Sequence, residues 1–182
     1  TENDLFIYKG DKTDRYYTNG LRMDYFFTKK KNNIPSSLLL KMAEDHNVYS
    51  WGLAQYMFTP SRIDIPDVQH NDRPYAGALF AIHSLESYDY QKKVSVTTEM
   101  NIGVIGPLSL AEQTQTWVHR VFNFTIPEGW KHQVPNDVVL NYNIKMEKEM
   151  LYVLNKFLLS GTIETYAGTF YNAMGAGFIL KL

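Results

Sequence analysis

The chain has 182 residues and a formal net charge of −1, with 18 basic against 19 acidic residues. Near-neutrality excludes a general polyanion binder, which carries a large basic excess, so nucleic acid is not an expected partner. The absence of cysteine excludes disulfide scaffolds and thiolate zinc sites.

The longest apolar run, Ala76 to Ile82, covers seven residues, far short of the about 18 that a membrane-spanning helix needs. Mean hydropathy is −0.31. A soluble protein has such a value, and so does a barrel with a polar lumen, where only alternate residues face lipid. The choice between them lies in the order of residues along the chain.

Taken from the N-terminus, a short first strand is predicted over Asn3 to Tyr8, followed by a second from Arg15 to Phe27. In the second, Tyr17, Asn19, Leu21, Met23, Tyr25 and Phe27 share one face, and Thr18, Gly20, Arg22 and Asp24 share the other. Period-two alternation of this kind marks a strand with two unlike faces. The connection 28–47 contains KKKNN, Pro35 and the apolar run SLLLKMA, and is expected to hold a helical turn without chemistry. Further strands are predicted over Tyr49–Thr59 and Ala76–Ser87, and over Val94–Val104, where Val94, Val96, Thr98, Met100, Ile102 and Val104 alternate with Ser95, Thr97, Glu99, Asn101 and Gly103. Residues Pro107 to Phe122 read as a helix, with Ser109 and Glu112 spaced as a capping box. Three more strands follow, over Val138–Met146, Leu158–Thr169 and Ala176–Leu182.

Aromatic strand ends suit interfacial girdles, and Gly20, Gly77 and Gly103 are read as making room on the polar face. The pattern favours an antiparallel up-and-down transmembrane β-barrel over a soluble sandwich with one solvated face. The whole chain, 1–182, is expected to form one barrel domain. If strands alternate in direction, the connections Tyr8–Arg15, Pro60–Tyr75 and Pro107–Asn136 share one rim, and 28–47 lies on the other.

The unusual motifs all fall on the first rim: Asn3-Asp4, DRYYTNG (14–20), DRPYAG (72–77), the helix pair Gln115 and His119, and PEGWKHQ (127–133). Gln115 and His119, four residues apart, share a helix face; taken singly, Gln115 can be read as no more than a brace for the helix, and Trp130 as an interfacial or loop-packing anchor rather than a substrate contact. Asp, Asn and Thr oxygens suit a hard cation such as calcium. A histidine beside them can act as general base on a water. No serine stands in a G-x-S-x-G elbow, which disfavours an acyl-enzyme hydrolase.

In this order, END (2–4), DRYYTNG, SWGLAQYMFTPS (50–61), DRPYAG, NIGVIGP (101–107), QTWVHR (115–120) and GWKHQ with Asn136 resemble the outer-membrane lipid A 3'-O-deacylases, the LpxR-type family. The resemblance runs from Asn3 to about Lys145. It implies a twelve-stranded barrel, of which about eight strands are present here, so the chain is expected to be incomplete at both ends and inactive without the missing strands. It also implies a calcium-dependent hydrolase of the Gram-negative outer membrane, with its active site facing the outer leaflet. Such an enzyme removes the 3'-linked acyloxyacyl chain of lipid A, the lipid anchor of lipopolysaccharide, and a monomer is expected. By motif, His119 matches the general base, Asn3 and Asp4 the active-site Asn-Asp pair, and Thr18 the neighbouring hydroxyl. Calcium would be held by Asp4 and the Thr18 segment, while Arg15, Arg73, Arg120 and Lys131 are candidates for the lipid A phosphates. The chain departs from the family after the histidine: where members carry an acidic residue, it reads NFTIPEG, with Glu128 the nearest acid. A scaffold that kept the barrel but lost catalysis is the alternative.

Overall fold

A computed structural model describes residues 2–3, 16–28, 34–42, 46–153 and 156–182, with side chains from 20–28, 36–42, 46–153 and 156–182. The strands are β1 (Glu2–Asn3), β2 (Tyr16–Phe27), β3 (Asn47–Thr59), β4 (Ala76–Asp89), β5 (Val94–Ile105), β6 (Asp137–Val153), β7 (Phe157–Gly168) and β8 (Ala173–Lys181). They form one eight-stranded sheet in sequence order, each strand beside the next. The two helices are α1 (Ile34–Ser37) and α2 (Ala111–Val121). No helix among the described residues is long and apolar enough to cross a membrane.

Alternation sets which side of each strand meets which solvent. In β8, Met174, Phe178 and Leu180 are 81%, 74% and 63% exposed, while Gly175, Gly177 and Ile179 between them are half-buried. The opposite face carries a polar network. Asn101 and Asn143 each donate a side-chain N–H to Glu99 Oε1, at 3.1 and 3.2 Å. Lys181 Nζ lies 2.5 Å from Glu147 Oε1, and Tyr88 donates its hydroxyl to Glu149 at 2.8 Å. An aliphatic or aromatic side chain left in water forfeits about 1.5–3 kcal/mol relative to burial. A row of them facing outward suits hydrocarbon, with polar partners turned inward.

Contacts divide the chain into two compact units. The first comprises Thr1–Met23, Leu53–Ala81 and Gly103–Val139, and so holds the connections assigned above to one rim. Its core is Met57, Tyr75, Ala111 and Trp130, with Ile63 packed against them. The second comprises Asp24–Gly52, Ile82–Ile102 and Leu140–Leu182, cored by Leu39, Tyr49 and Leu85 with Phe27 and Met100.

The first strand is described only at Glu2–Asn3; the rest of Asn3–Tyr8 lies outside the described residues. The helical turn expected in the connection 28–47 is present at Ile34–Ser37, and Leu39 of the run SLLLKMA is buried in a core. Other expectations need correction. β6 runs on to Val153, beyond the expected Met146. The capping box is not formed. Residues Pro107–Ser109 make a 3-10 turn, Leu110 stands at the N-cap of α2 with φ 58°, and no side chain caps the helix. Ser109 is buried against β4, its Oγ 3.4 Å from the Ala111 N–H. Gly77 creates this seat. A Cβ there would lie 2.1 Å from Ser109 Oγ and 2.4 Å from Ala111 Cβ, so the space that Gly77 leaves is filled by the segment leading into α2.

Gly77→Val is therefore expected to destabilise the fold by about 1–3 kcal/mol through overpacking. Gly177→Ala, whose Cβ would meet Thr162 Cγ2 at an ordinary 3.7 Å, should stay within about 0.5 kcal/mol. Urea unfolding in detergent micelles reads both; equal effects would remove the role given to Gly77.

Candidate functional site

The candidate site is built on the two long connections of the first unit. α2 turns Ala111, Gln115 and His119 inward, one every four residues, so a single stripe of the helix is buried. Gln115 Oε1 accepts the Trp130 indole N–H at 2.7 Å, both groups being buried. Trp130 packs on Tyr75 with ring centroids 4.8 Å apart, and Tyr75 donates its hydroxyl to the Ile63 carbonyl at 3.1 Å. Gly129 permits the stack, since a Cβ there would lie 2.5 Å from Tyr75 Cε2. The loop 60–75 is thereby tied to the segment after α2, which in turn holds the helix.

His119 is buried, and its Nδ1 lies 2.5 Å from the Thr125 carbonyl oxygen. A carbonyl can only accept, so in the neutral ring Nδ1 carries the proton and Nε2 carries the lone pair. The Phe124 ring meets the imidazole edge-on at 5.7 Å and 85°.

The loop 60–75 is closed by Asp72, whose carboxylate accepts the backbone N–H of Ser61 at 2.7 Å and of Arg73 at 2.8 Å. The Ser61 hydroxyl, then the Ser61 and Arg73 amides, hold its carboxyl below the usual carboxylate range. Asp72 thus serves the turn. Beside it lies a cavity of about 240 Å³, lined by residues that include His70, Asp72, Arg73, Tyr75 and His132.

Of the sequence-predicted residues, Asn3 sits in β1 with its backbone paired to Asn19 of β2, the neighbour of Thr18. The side chains of Asn3 and Thr18, and all of Asp4 and Arg15, lie outside the described residues. Arg73 borders the cavity, whereas Arg120 and Lys131 are exposed at the end of α2 and in the turn Trp130–His132. Among the described residues, no three of His, Cys, Asp and Glu converge as a metal site. Sequence reasoning missed the Thr125 carbonyl as partner of His119, and Tyr75 as partner of Trp130. A carbonyl leaves no mark on the residue that bears it.

The family described as outer membrane protein LpxR matches the chain over residues 1–182. The chain belongs to the LpxR family of outer-membrane proteins. Its fold is similar to that of LpxR from Salmonella typhimurium, with a TM-score of 0.72 at 20% identity over 92% of this chain and 53% of that one. The chain thus spans about half the length of that relative. The fold is the antiparallel, up-and-down transmembrane barrel of this family, and α2 is the helix within one of its connections. No curated protein matches the chain significantly.

Two outcomes test the geometry of this LpxR-family site. Trp130→Phe takes the indole donor from a buried carbonyl oxygen and should cost about 1–3 kcal/mol, whereas Gln115→Leu in the same background should restore part of it. A double mutant no more stable than Trp130→Phe would discount the bond. Asp72 gives a sign for pH. Its folded pKa is depressed, so its contribution is complete above the unfolded value of about 3.9 and is lost as pH falls through the lower folded value. Carboxyl-carbon NMR should place its midpoint below that of the urea-unfolded chain; coincident midpoints would contradict this.

Proposed function

We propose that this LpxR-family chain carries the rim of a calcium-dependent lipid A 3'-O-deacylase, with His119 as general base. The observation that carries the reading is the imidazole on α2, held by the Thr125 carbonyl with its lone pair on Nε2. A water beside Nε2 gives up a proton to it as its oxygen attacks the ester carbonyl carbon. The tetrahedral intermediate collapses with loss of the sugar 3'-oxygen, which recovers the proton from the imidazolium. The products are a free acyloxyacyl acid and a 3'-hydroxyl, and the base is regenerated.

Asn3 orients the water or donates to the oxyanion. Asp4 and the Thr18 hydroxyl offer the hard oxygen donors that calcium prefers, and they are the residues that would hold it. The bound cation would supply positive charge for the oxyanion. Arg15, Arg73, Arg120 and Lys131 are assigned to the lipid A phosphates, since guanidinium and ammonium groups are matched to that charge. The site faces the outer leaflet of the outer membrane, where lipopolysaccharide resides, and the protein acts as a monomer.

The test is mass spectrometry of lipid A from outer-membrane vesicles containing the protein. With calcium, the 3'-acyloxyacyl group should be lost. Chelation should abolish that loss, and His119→Ala should slow it by about 10²–10⁴-fold, the usual contribution of general-base catalysis. Full activity in His119→Ala removes the base from the mechanism. An intact barrel that never deacylates lipid A in calcium favours a non-catalytic scaffold instead.

A further inference from the structure

The residue after the C-cap of α2 is one of the few non-glycine residues with a left-handed backbone among those described: Asn123 has φ 55°. The hydrogen bonds around it identify the turn. The Phe124 N–H bonds to the His119 carbonyl at 2.8 Å, and the Asn123 N–H reaches the Arg120 carbonyl at 3.4 Å. With Phe122 as C-cap, these are the two bonds of a Schellman closure, in which the residue in left-handed conformation reverses the chain over the last helical turn.

The residue three back from such a cap usually receives a hydrophobic contact from the residue after the turn. Here that position is His119, and the contact is the edge-on Phe124 ring at 5.7 Å. The next carbonyl, that of Thr125, then lands 2.5 Å from Nδ1. Backbone carbonyl, ring and ring nitrogen of one histidine are all engaged by two consecutive residues, Phe124 and Thr125. Asn123 itself is exposed, so its side chain contributes little packing. Its contribution is the backbone conformation, which asparagine tolerates and a β-branched residue does not.

We infer that Asn123 is a positioning residue: its left-handed turn delivers the Thr125 carbonyl to His119 and so selects the tautomer with the lone pair on Nε2. The role usually given to a carboxylate is filled here by main chain, consistent with the absence of an acid in NFT (123–125). The inference rests on the deacylase reading for its consequence, but not for its geometry.

The experiment reads the two separately. In wild-type protein labelled with nitrogen-15 histidine, long-range proton–nitrogen spectra should show His119 as the Nδ1–H tautomer; the Nε2–H tautomer would overturn the inference without any variant. Asn123→Gly should retain the tautomer, and keep kcat and KM for lipid A within about twofold, because glycine takes the same φ freely. Thr125→Ala should likewise keep the tautomer, because the carbonyl is unchanged. Asn123→Val, checked for a folded barrel by its heat-modifiable gel mobility, should lose the single tautomer. It should also lower kcat at least about tenfold with KM nearly constant, since a misdirected base costs the chemical step. If Asn123→Val keeps the tautomer, or does not fold while Asn123→Gly loses it, the positioning role is wrong. If the tautomer is as expected in the wild type yet no deacylation occurs, the turn stands and the deacylase reading fails.

Discussion

A chain in hydrocarbon has no water to satisfy its peptide groups, so every N–H and C=O must find a partner in protein. Sheet pairing in strict sequence order, β1 to β8, is the solution adopted here. The registers of β6 with β7 and of β7 with β8 run almost unbroken, from Asn141↔Gly168 to Val153↔Phe157 and from Leu158↔Lys181 to Tyr166↔Ala173. Once the backbone is committed in this way, side chains can only alternate. Met174, Phe178 and Leu180 go one way, and the Glu99, Asn101 and Asn143 network goes the other. Strands so constrained have little freedom to assemble a reactive pocket, and chemistry is displaced to the connections.

Those connections add a small core of their own. In the first unit Tyr75 and Trp130, with Met57 of β3, are at most 3% exposed, while Leu108, Trp117 and Phe122 stay 60%, 64% and 54% exposed. This is a small water-type core, and it is held by polar bonds that have nowhere else to go. The Trp130–Gln115 hydrogen bond joins the loop after α2 to the helix, and Tyr75 joins the loop 60–75 to both. The helix is therefore fixed at its middle by Gln115 and at its end by the turn through Asn123. His119 lies between these two fixed points, which is where a base can be held to within a fraction of an ångström.

Much of this was legible in the amino-acid order. Period-two alternation located the strands because each has two unlike sides, although β6 runs well past its expected end at Met146, to Val153, and the spacing of Gln115 and His119 placed both on one face of α2, which is the buried one. The reading of Gln115 as a brace and Trp130 as a loop anchor matches the bond between them. The capping box failed because a local rule met a tertiary one. Ser109 had the right spacing to Glu112, but the notch left by Gly77 drew its side chain into the strand interface. The Schellman turn went unread for a different reason. Its sequence mark is a single asparagine, Asn123, a residue type that is equally at home in ordinary turns. The calcium role proposed for Asp4 and Thr18, with Asn3 beside them, rests on their hard oxygen donors and on family resemblance; all of Asp4 and the side chains of Asn3 and Thr18 lie outside the described residues.

Orienting a base with a carbonyl rather than a carboxylate has a physical consequence for the proposed chemistry. A carbonyl fixes the tautomer as well as a carboxylate does, but it brings no full negative charge to the imidazolium that forms when Nε2 takes a proton. Part of that charge is met by the helix itself. His119 stands in the last turn of α2, where the aligned peptide dipoles of a helix stabilise a cation by about 0.3–1 kcal/mol. The arrangement also keeps a formal anion away from a site where a carboxylate, Asp4, is proposed to hold calcium. A second carboxylate close by could compete for the metal, and a carbonyl already engaged by an N–H competes less. In the proposed chemistry, a neutral orienter at the negative end of a helix would separate the two tasks, leaving the metal to the acidic residue near the N-terminus and the proton to the ring on α2.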